Sequence, residues 1–141
     1  MITMIDFEVS GLQELISDMK KAGDIPNSTL KEMVTEQAKV VEEAIVYNAG
    51  TMLQGPYYEG AVAASVTPKK ARVSKTGAYV TITFKGEQHG NRLGEIAFIN
   101  EYGKKSQPAR PFIKKAQAQS SDPAANAAHK VLDEYISKQG L

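Results

Sequence analysis

Apolar positions recur every three to four residues in two long stretches of this chain and every second residue in a third. The first stretch predicts a helix from about Ser28 to Asn48, with Leu30, Met33, Val34, Gln37, Val41, Ala44 and Ile45 along one stripe. Lys31, Glu32, Glu36, Lys39, Glu42 and Glu43 fall mostly opposite, Thr29 and Glu32 offer a capping box, and Gly50 marks the stop. Ahead of it, Leu12, Leu15, Ile16 and Met19 follow a Ser10–Gln13 capping pair and precede Gly23, the pattern of a short helix. Near the other end, Ala124, Ala128, Val131, Leu132, Tyr135 and Ile136 form a third helical face. This C-terminal region is opened by Pro111 at a first-turn position, where a missing N–H costs nothing. Asp122-Pro123 interrupts it, and two helices or one kinked helix both satisfy the pattern.

The middle of the chain has a different texture. Gln54 to Gly60 reads as a loop from its glycine and proline content. Val62 to Thr67 is compatible with a strand, Pro68-Lys69-Lys70 turns, Arg72 to Ser74 suits a short strand, and Lys75-Thr76-Gly77 turns again. Tyr79 to Phe84 alternates cleanly, with Val80, Ile82 and Phe84 on one side and Tyr79, Thr81 and Thr83 on the other. Gly86 to Gly94 holds three glycines and little to bury, which predicts a mobile loop, and Ile96 to Ile99 is an apolar run of central-strand length. Helices, then strands, then helices, with no βαβ alternation and no internal repeat, predict an α+β fold. Its parts are N-terminal helices, a small, mostly antiparallel sheet of about three to four strands, and a C-terminal helical region. Residues 1–141 are expected to form a single domain.

Charge changes this picture in one respect. The net charge is +1, yet residues 1–60 carry ten acidic and four basic side chains while residues 61–141 carry six acidic and thirteen basic. Solvated helix and loop charges account for such a split. So do head-to-tail self-association of acidic and basic halves, or a basic rim near nucleic acid. Cysteine is absent, so disulfide and thiolate chemistry are excluded. No apolar run approaches the ~18 residues of a membrane span, and the first residues lack a signal-like pattern, so no membrane association is expected.

Candidate chemistry is sparse. His89 and His129 are the two histidines and stand in no metal-ligand spacing. Gly86, Gly90 and Gly94 lack the lysine and hydroxyl of a phosphate-cradling loop, and Ser10, Ser65 and Ser74 sit in no nucleophile elbow. Glu42 and Glu43 diverge by about 100° on a helix and cannot pair across a substrate. The expectation is a protein that is not an enzyme and binds no cofactor or metal. A phosphate-facing surface would draw on Lys69, Lys70, Arg72 and Lys75, or on Lys104, Lys105, Arg110, Lys114 and Lys115, against the commoner case of solvated turn lysines.

The segment with the most content runs through Ala97-Phe98-Ile99-Asn100-Glu101-Tyr102-Gly103 to Gln107-Pro108-Ala109-Arg110-Pro111-Phe112. Prolines fix their own φ and push the preceding residue out of the helical region, so Pro108 to Pro111 should form a short, stiff arm. Such stiffness lowers the entropy lost when a loop docks. Arg110 would sit near the N-cap of the next helix, where the dipole disfavours a cation and asks for a carboxylate, with Glu101 as a candidate. Phe112 should plug into the core. A purely structural strand-to-helix connection fits the same pattern.

Phe98-Ile99-Asn100-Glu101-Tyr102-Gly103, then Pro108-Ala109-Arg110-Pro111-Phe112 and a helix, resembles the signature of the tail-component, or tail-completion, family of lambda-like long-tailed bacteriophages. Pro56 to Ser65 is similar to that family's Pro-x-x-Thr-Gly-x-Leu-x-x-Ser segment in proline, glycine, serine and spacing, with Glu59 in place of threonine and Val62 in place of leucine. The resemblance implies a virion structural protein without turnover, acting in head–tail joining or tail completion, in the host cytoplasm during assembly and then at the head–tail junction or tail end. It implies ring-forming contacts with further copies of itself, as hexamers, and with neighbouring connector or tail proteins. Glu101, Tyr102, Gly103, Pro108, Arg110 and Phe112 would support the interface, with Arg110 as the contact, Gly103 as the turn and Phe112 as the anchor. The alternative is a nucleic-acid-binding module using the basic second half near packaged or exiting DNA.

Overall fold

The computed structural model of the chain describes residues 7–9, 25–53, 60–75 and 77–138. The short helix expected over residues 10–23 and the loop from Gln54 through Glu59 lie outside the described residues. The elements are β1 (Phe7–Val9), α1 (Asn27–Met52), α2 (Ala61–Ser65), β2 (Val66–Pro68), β3 (Arg72–Ser74), β4 (Gly77–Phe84), β5 (Glu87–Gln88), β6 (Asn91–Arg92), α3 (Leu93–Tyr102) and α4 (Phe112–Lys138). The fold is α+β.

The expected stripe of α1 is buried through Leu30, Met33, Val34, Gln37, Val41 and Ile45, with Ala44 at its margin. The capping box is not used. Pro26 occupies the N-cap, its carbonyl accepts the amides of Thr29 and Leu30, and no side chain caps the end. The helix starts earlier than that box needs, so Thr29 lies inside its first turn, buried. Gly50 does not stop the helix either: α1 continues to Met52, and Gly50 lies inside it on the exposed side.

β4 is the central strand. It pairs antiparallel with β1 on one side (Phe7↔Ile82, Val9↔Val80) and with β2 on the other (Val66↔Phe84, Pro68↔Ile82). β3 continues along the β2 edge (Arg72↔Tyr79, Ser74↔Gly77) after a bulge, because the chain takes one more residue from Pro68 to Arg72 than β4 takes between Tyr79 and Ile82. Val80, Ile82 and Phe84 point into the core at 2%, 0% and 1% exposure, as their alternation predicts. They meet α1 and the first turns of α4, where Phe112, Ile113 and Ala116 are buried. Asn48, near the end of α1, donates through Nδ2 to the carbonyl of Phe112 and to Oε1 of Gln119. α4 therefore begins where α1 finishes, and the two helices run antiparallel along most of their length.

Three local expectations are corrected. Val62 to Ser65 lies in the short helix α2, entered from a left-handed Gly60, and only Val66 and Thr67 of that stretch belong to a strand. Of the loop expected over Gly86 to Gly94, Glu87 to Arg92 forms a hairpin, and Leu93 and Gly94 already belong to α3. Gln88 pairs with Asn91 across His89 (φ 51°) and Gly90 (φ 81°), and two positive φ angles in succession are the requirement of a type I′ turn. Ile96 to Ile99 is helical, inside α3, and not a strand. The choice left open at Asp122-Pro123 resolves to one helix, α4, with Pro123 inside it. Pro123 and Gln119 are both exposed, so water can take the Gln119 carbonyl that proline leaves without a donor.

Candidate functional site

The Glu101–Phe112 segment is built from the end of α3, a tight turn and the start of α4. Gly103 breaks α3 with φ 78° while its amide still bonds back to the Ile99 carbonyl at 2.7 Å. A Cβ at this position would stand 2.7 Å from the Ala109 nitrogen and 3.0 Å from the Gln107 carbonyl oxygen, so glycine is required twice, for its conformation and for its bareness. Lys104 and Gln107 then exchange both backbone hydrogen bonds, at 2.8 and 3.0 Å. The Gln107 side chain donates to Oδ1 of the buried Asn100 at 3.1 Å, and the Asn100 carbonyl takes the Arg110 amide.

Pro108, Ala109 and Pro111 are exposed and Arg110 is half-buried, so the segment stands out as an elbow whose two ends are fixed. Its downstream end is the start of α4, where a helix normally leaves amides without partners. Pro111 has no amide to satisfy, and the Phe112 amide bonds to the Arg110 carbonyl at 2.8 Å. The amides of Ile113 and Lys114 donate to the two carboxylate oxygens of Glu101, at 2.7 and 3.2 Å. A carboxylate at that end also lies favourably in the helix dipole. Glu101 is 6% exposed, so this side chain positions the elbow and is not itself displayed. Phe112 is fully buried and meets Phe84 of the central strand edge-on, with ring centroids 6.0 Å apart.

What the elbow displays is aromatic, apolar and basic. Tyr102 is 64% exposed, its ring 4.9 Å from that of the half-buried Phe98. Lys104, Lys105, Lys114 and Lys115 are exposed around it. The Glu101 bridge brings the end of α3 against the start of α4, and each side of the elbow carries an exposed lysine pair.

Of the sequence-derived residues, Glu101, Gly103 and Phe112 shape the elbow from inside, and Tyr102, Pro108 and Arg110 form its outer side. Sequence reasoning missed Asn48 and Asn100, which tie the elbow's ends to α1 and α3. One signal was present for the Glu101 cap. Pro108-Ala109-Arg110-Pro111 supplies no Ser, Thr, Asp or Asn before the helix, so its amides must find an acceptor elsewhere.

The other basic group lies on the β2–β3 edge. Lys69, Lys70, Arg72 and Lys75 are exposed there, next to Pro68 and the bulge. The Lys69 amide bonds to the Thr81 carbonyl and the Lys85 amide to that of Ser65, so residues 65 and 69 face β4 and Pro68 faces outward. Proline, a bulge and lysines are devices that keep an edge from pairing with another chain, which accounts for this cluster without a ligand.

A groove of about 360 Å³ runs between the hairpin, α3 and the turn, lined among others by Asn91, Glu95, Ile96, Ile99 and Lys104. Among the described residues no three His, Cys, Asp or Glu side chains converge as a metal site would need. His89 and His129 are both exposed, one in the hairpin turn and one on α4. No helix among the described residues is long and apolar enough to cross a membrane.

Comparison with protein-family models, with curated proteins and with solved structures finds no match to this chain.

Proposed function

We propose that the chain is a virion structural protein that works by binding, without turnover, in head–tail joining or tail completion of a long-tailed phage or tail-like particle. Its place is the host cytoplasm during assembly and then the head–tail junction or tail end. It acts through ring-forming contacts with its own copies and with adjoining connector or tail proteins. The reading begins from the likeness of Phe98 to Phe112 to the tail-completion signature. The observation that supports it is the elbow itself: exposed at Pro108, Ala109 and Pro111, yet held by Gly103, by the Glu101 carboxylate and by the buried Phe112. A loop whose backbone is held along its length by its own protomer, with its prolines exposed, docks with little further ordering cost. Arg110, half-buried beside the exposed prolines, is the side chain this reading assigns to the contact.

The test is Arg110→Glu. The variant should still fold, as its circular-dichroism spectrum checks, while particles made with it show unjoined heads and tails or unfinished tails in electron micrographs. Normal particle yield and infectivity would falsify the role assigned to the elbow. DNA retention that falls steeply with salt, and that is lost when Lys69, Lys70 and Arg72 are neutralised, would favour the nucleic-acid alternative instead.

A further inference from the structure

Three large apolar side chains stand exposed among the described residues: Tyr102 at the elbow, and Val46 and Tyr47 on α1, at 64%, 38% and 70% exposure. The α1 pair lies one turn beyond Glu42 and Glu43 and one turn before Gly50. On a helix these positions share one broad face, since residues three and four apart are neighbours.

Nothing among the described residues accounts for Gly50. It sits inside α1, its φ is not in the left-handed region, and a Cβ built on it meets nothing within 4 Å. Glycine inside a helix costs roughly 1 kcal/mol relative to alanine, and nothing among the described residues requires it. A bare backbone beside two exposed apolar side chains and two carboxylates is what close approach by another surface would use.

Which surface that is follows from charge. The elbow carries an exposed tyrosine and prolines, flanked by Lys104, Lys105, Lys114 and Lys115; Glu101 is buried against backbone amides, and Glu95 lines the groove with Lys104. The α1 face carries an exposed tyrosine and valine with Glu42 and Glu43. The chain as a whole divides in the same sense, acidic over residues 1–60 and basic over residues 61–141. We propose that the Tyr102 elbow of one copy docks on the Glu42, Glu43, Val46, Tyr47 and Gly50 face of α1 in the next. This rests on the assembly reading above and adds the second half of the contact. The two faces differ, so the interface is heterologous, with elbow always meeting helix.

The test is a charge swap read by sedimentation velocity or light scattering. One variant carries Lys104→Glu and Lys105→Glu, the other Glu42→Lys and Glu43→Lys. All four sites are on the outer surface or its margin, and circular dichroism checks the fold of each. Wild type should associate, and less so as salt is raised. Each variant alone should remain monomeric where wild type associates, and an equimolar mixture should associate again, because the reversed elbow of one matches the reversed helix of the other. Gly50→Gln should weaken association about tenfold or more without lowering the melting temperature, as should Tyr47→Ser. Monomeric wild type at every concentration at which it stays soluble, a swap without effect, or a mixture that stays monomeric would each overturn the pairing. Failure here is separable from failure of the assembly role. A monomeric protein whose Arg110→Glu variant still yields unjoined particles loses only the self-contact. Self-association with normal particles from Arg110→Glu removes only the role.

Discussion

The ring of Phe112 stands edge-on to the ring of Phe84, their planes inclined at 71°. This contact fastens the downstream end of the elbow to the last residue of the central strand. Truncating Phe112 to alanine should cost about 3–5 kcal/mol, as is usual for a buried aromatic. Phe112→Leu should cost distinctly less. Urea unfolding measures both, and equal midpoints for the two variants would remove the aromatic pair from the argument.

Glu101 is tied to the next helix by two amides, those of Ile113 and Lys114. Glu101→Ala should therefore destabilise by about 1–3 kcal/mol, the range for leaving buried donors without partners. The more specific readout is amide exchange. Protection of Ile113 and Lys114 should fall in Glu101→Ala and be partly kept in Glu101→Gln, which retains one side-chain acceptor. Unaltered exchange at both amides in the alanine variant would contradict the cap.

Gly103→Ala should be worse than its size suggests. The substitution places a methyl 2.7 Å from backbone nitrogen, which has no flexible end to give way, at a φ of 78°. A loss of about 2 kcal/mol or more is expected, with the strained backbone and the clash adding together. Gly50→Ala makes the control, because its added methyl meets open space and should raise the melting temperature. A melting temperature lowered by both substitutions alike would show that crowding at Ala109 is not the cause.

The β2–β3 edge predicts a change in solubility rather than activity. Pro68→Val together with Lys69→Thr and Lys70→Thr restores an outward donor and removes two charges from the strand margin. Such a variant should fold but aggregate faster than wild type on concentration, followed by light scattering. Unchanged colloidal behaviour would return these lysines to the list of candidates for phosphate contact.

Much of the fold was legible from periodicity. The stripe of α1, the alternation of β4 and the last face of α4 are buried as the sequence pattern requires. α3 was hidden because its buried face is partly polar. Leu93, Ala97, Asn100 and Glu101 turn inward, while Ile96, Phe98, Ile99 and Tyr102 stay half-exposed or exposed. A reading based on apolar residues therefore found a four-residue run and took it for a strand. The hairpin was missed for a different reason: His89 occupies a left-handed position usually filled by asparagine or glycine. At the elbow, local sequence announced the stiffness of the arm and the depth of Phe112. The Glu101 cap spans twelve residues and depends on how two helices meet, which no local pattern encodes.

The shared carboxylate also has a mechanical meaning. The arm and the opening turn of α4 are held by one side chain, so a pull on the prolines is passed into a rod of 27 residues. At ~1.5 Å per residue that rod is about 40 Å long. A neighbour gripping the elbow would thus carry the protomer by its longest described helix, with Phe112 passing part of the load to the central strand and the hairpin bypassed.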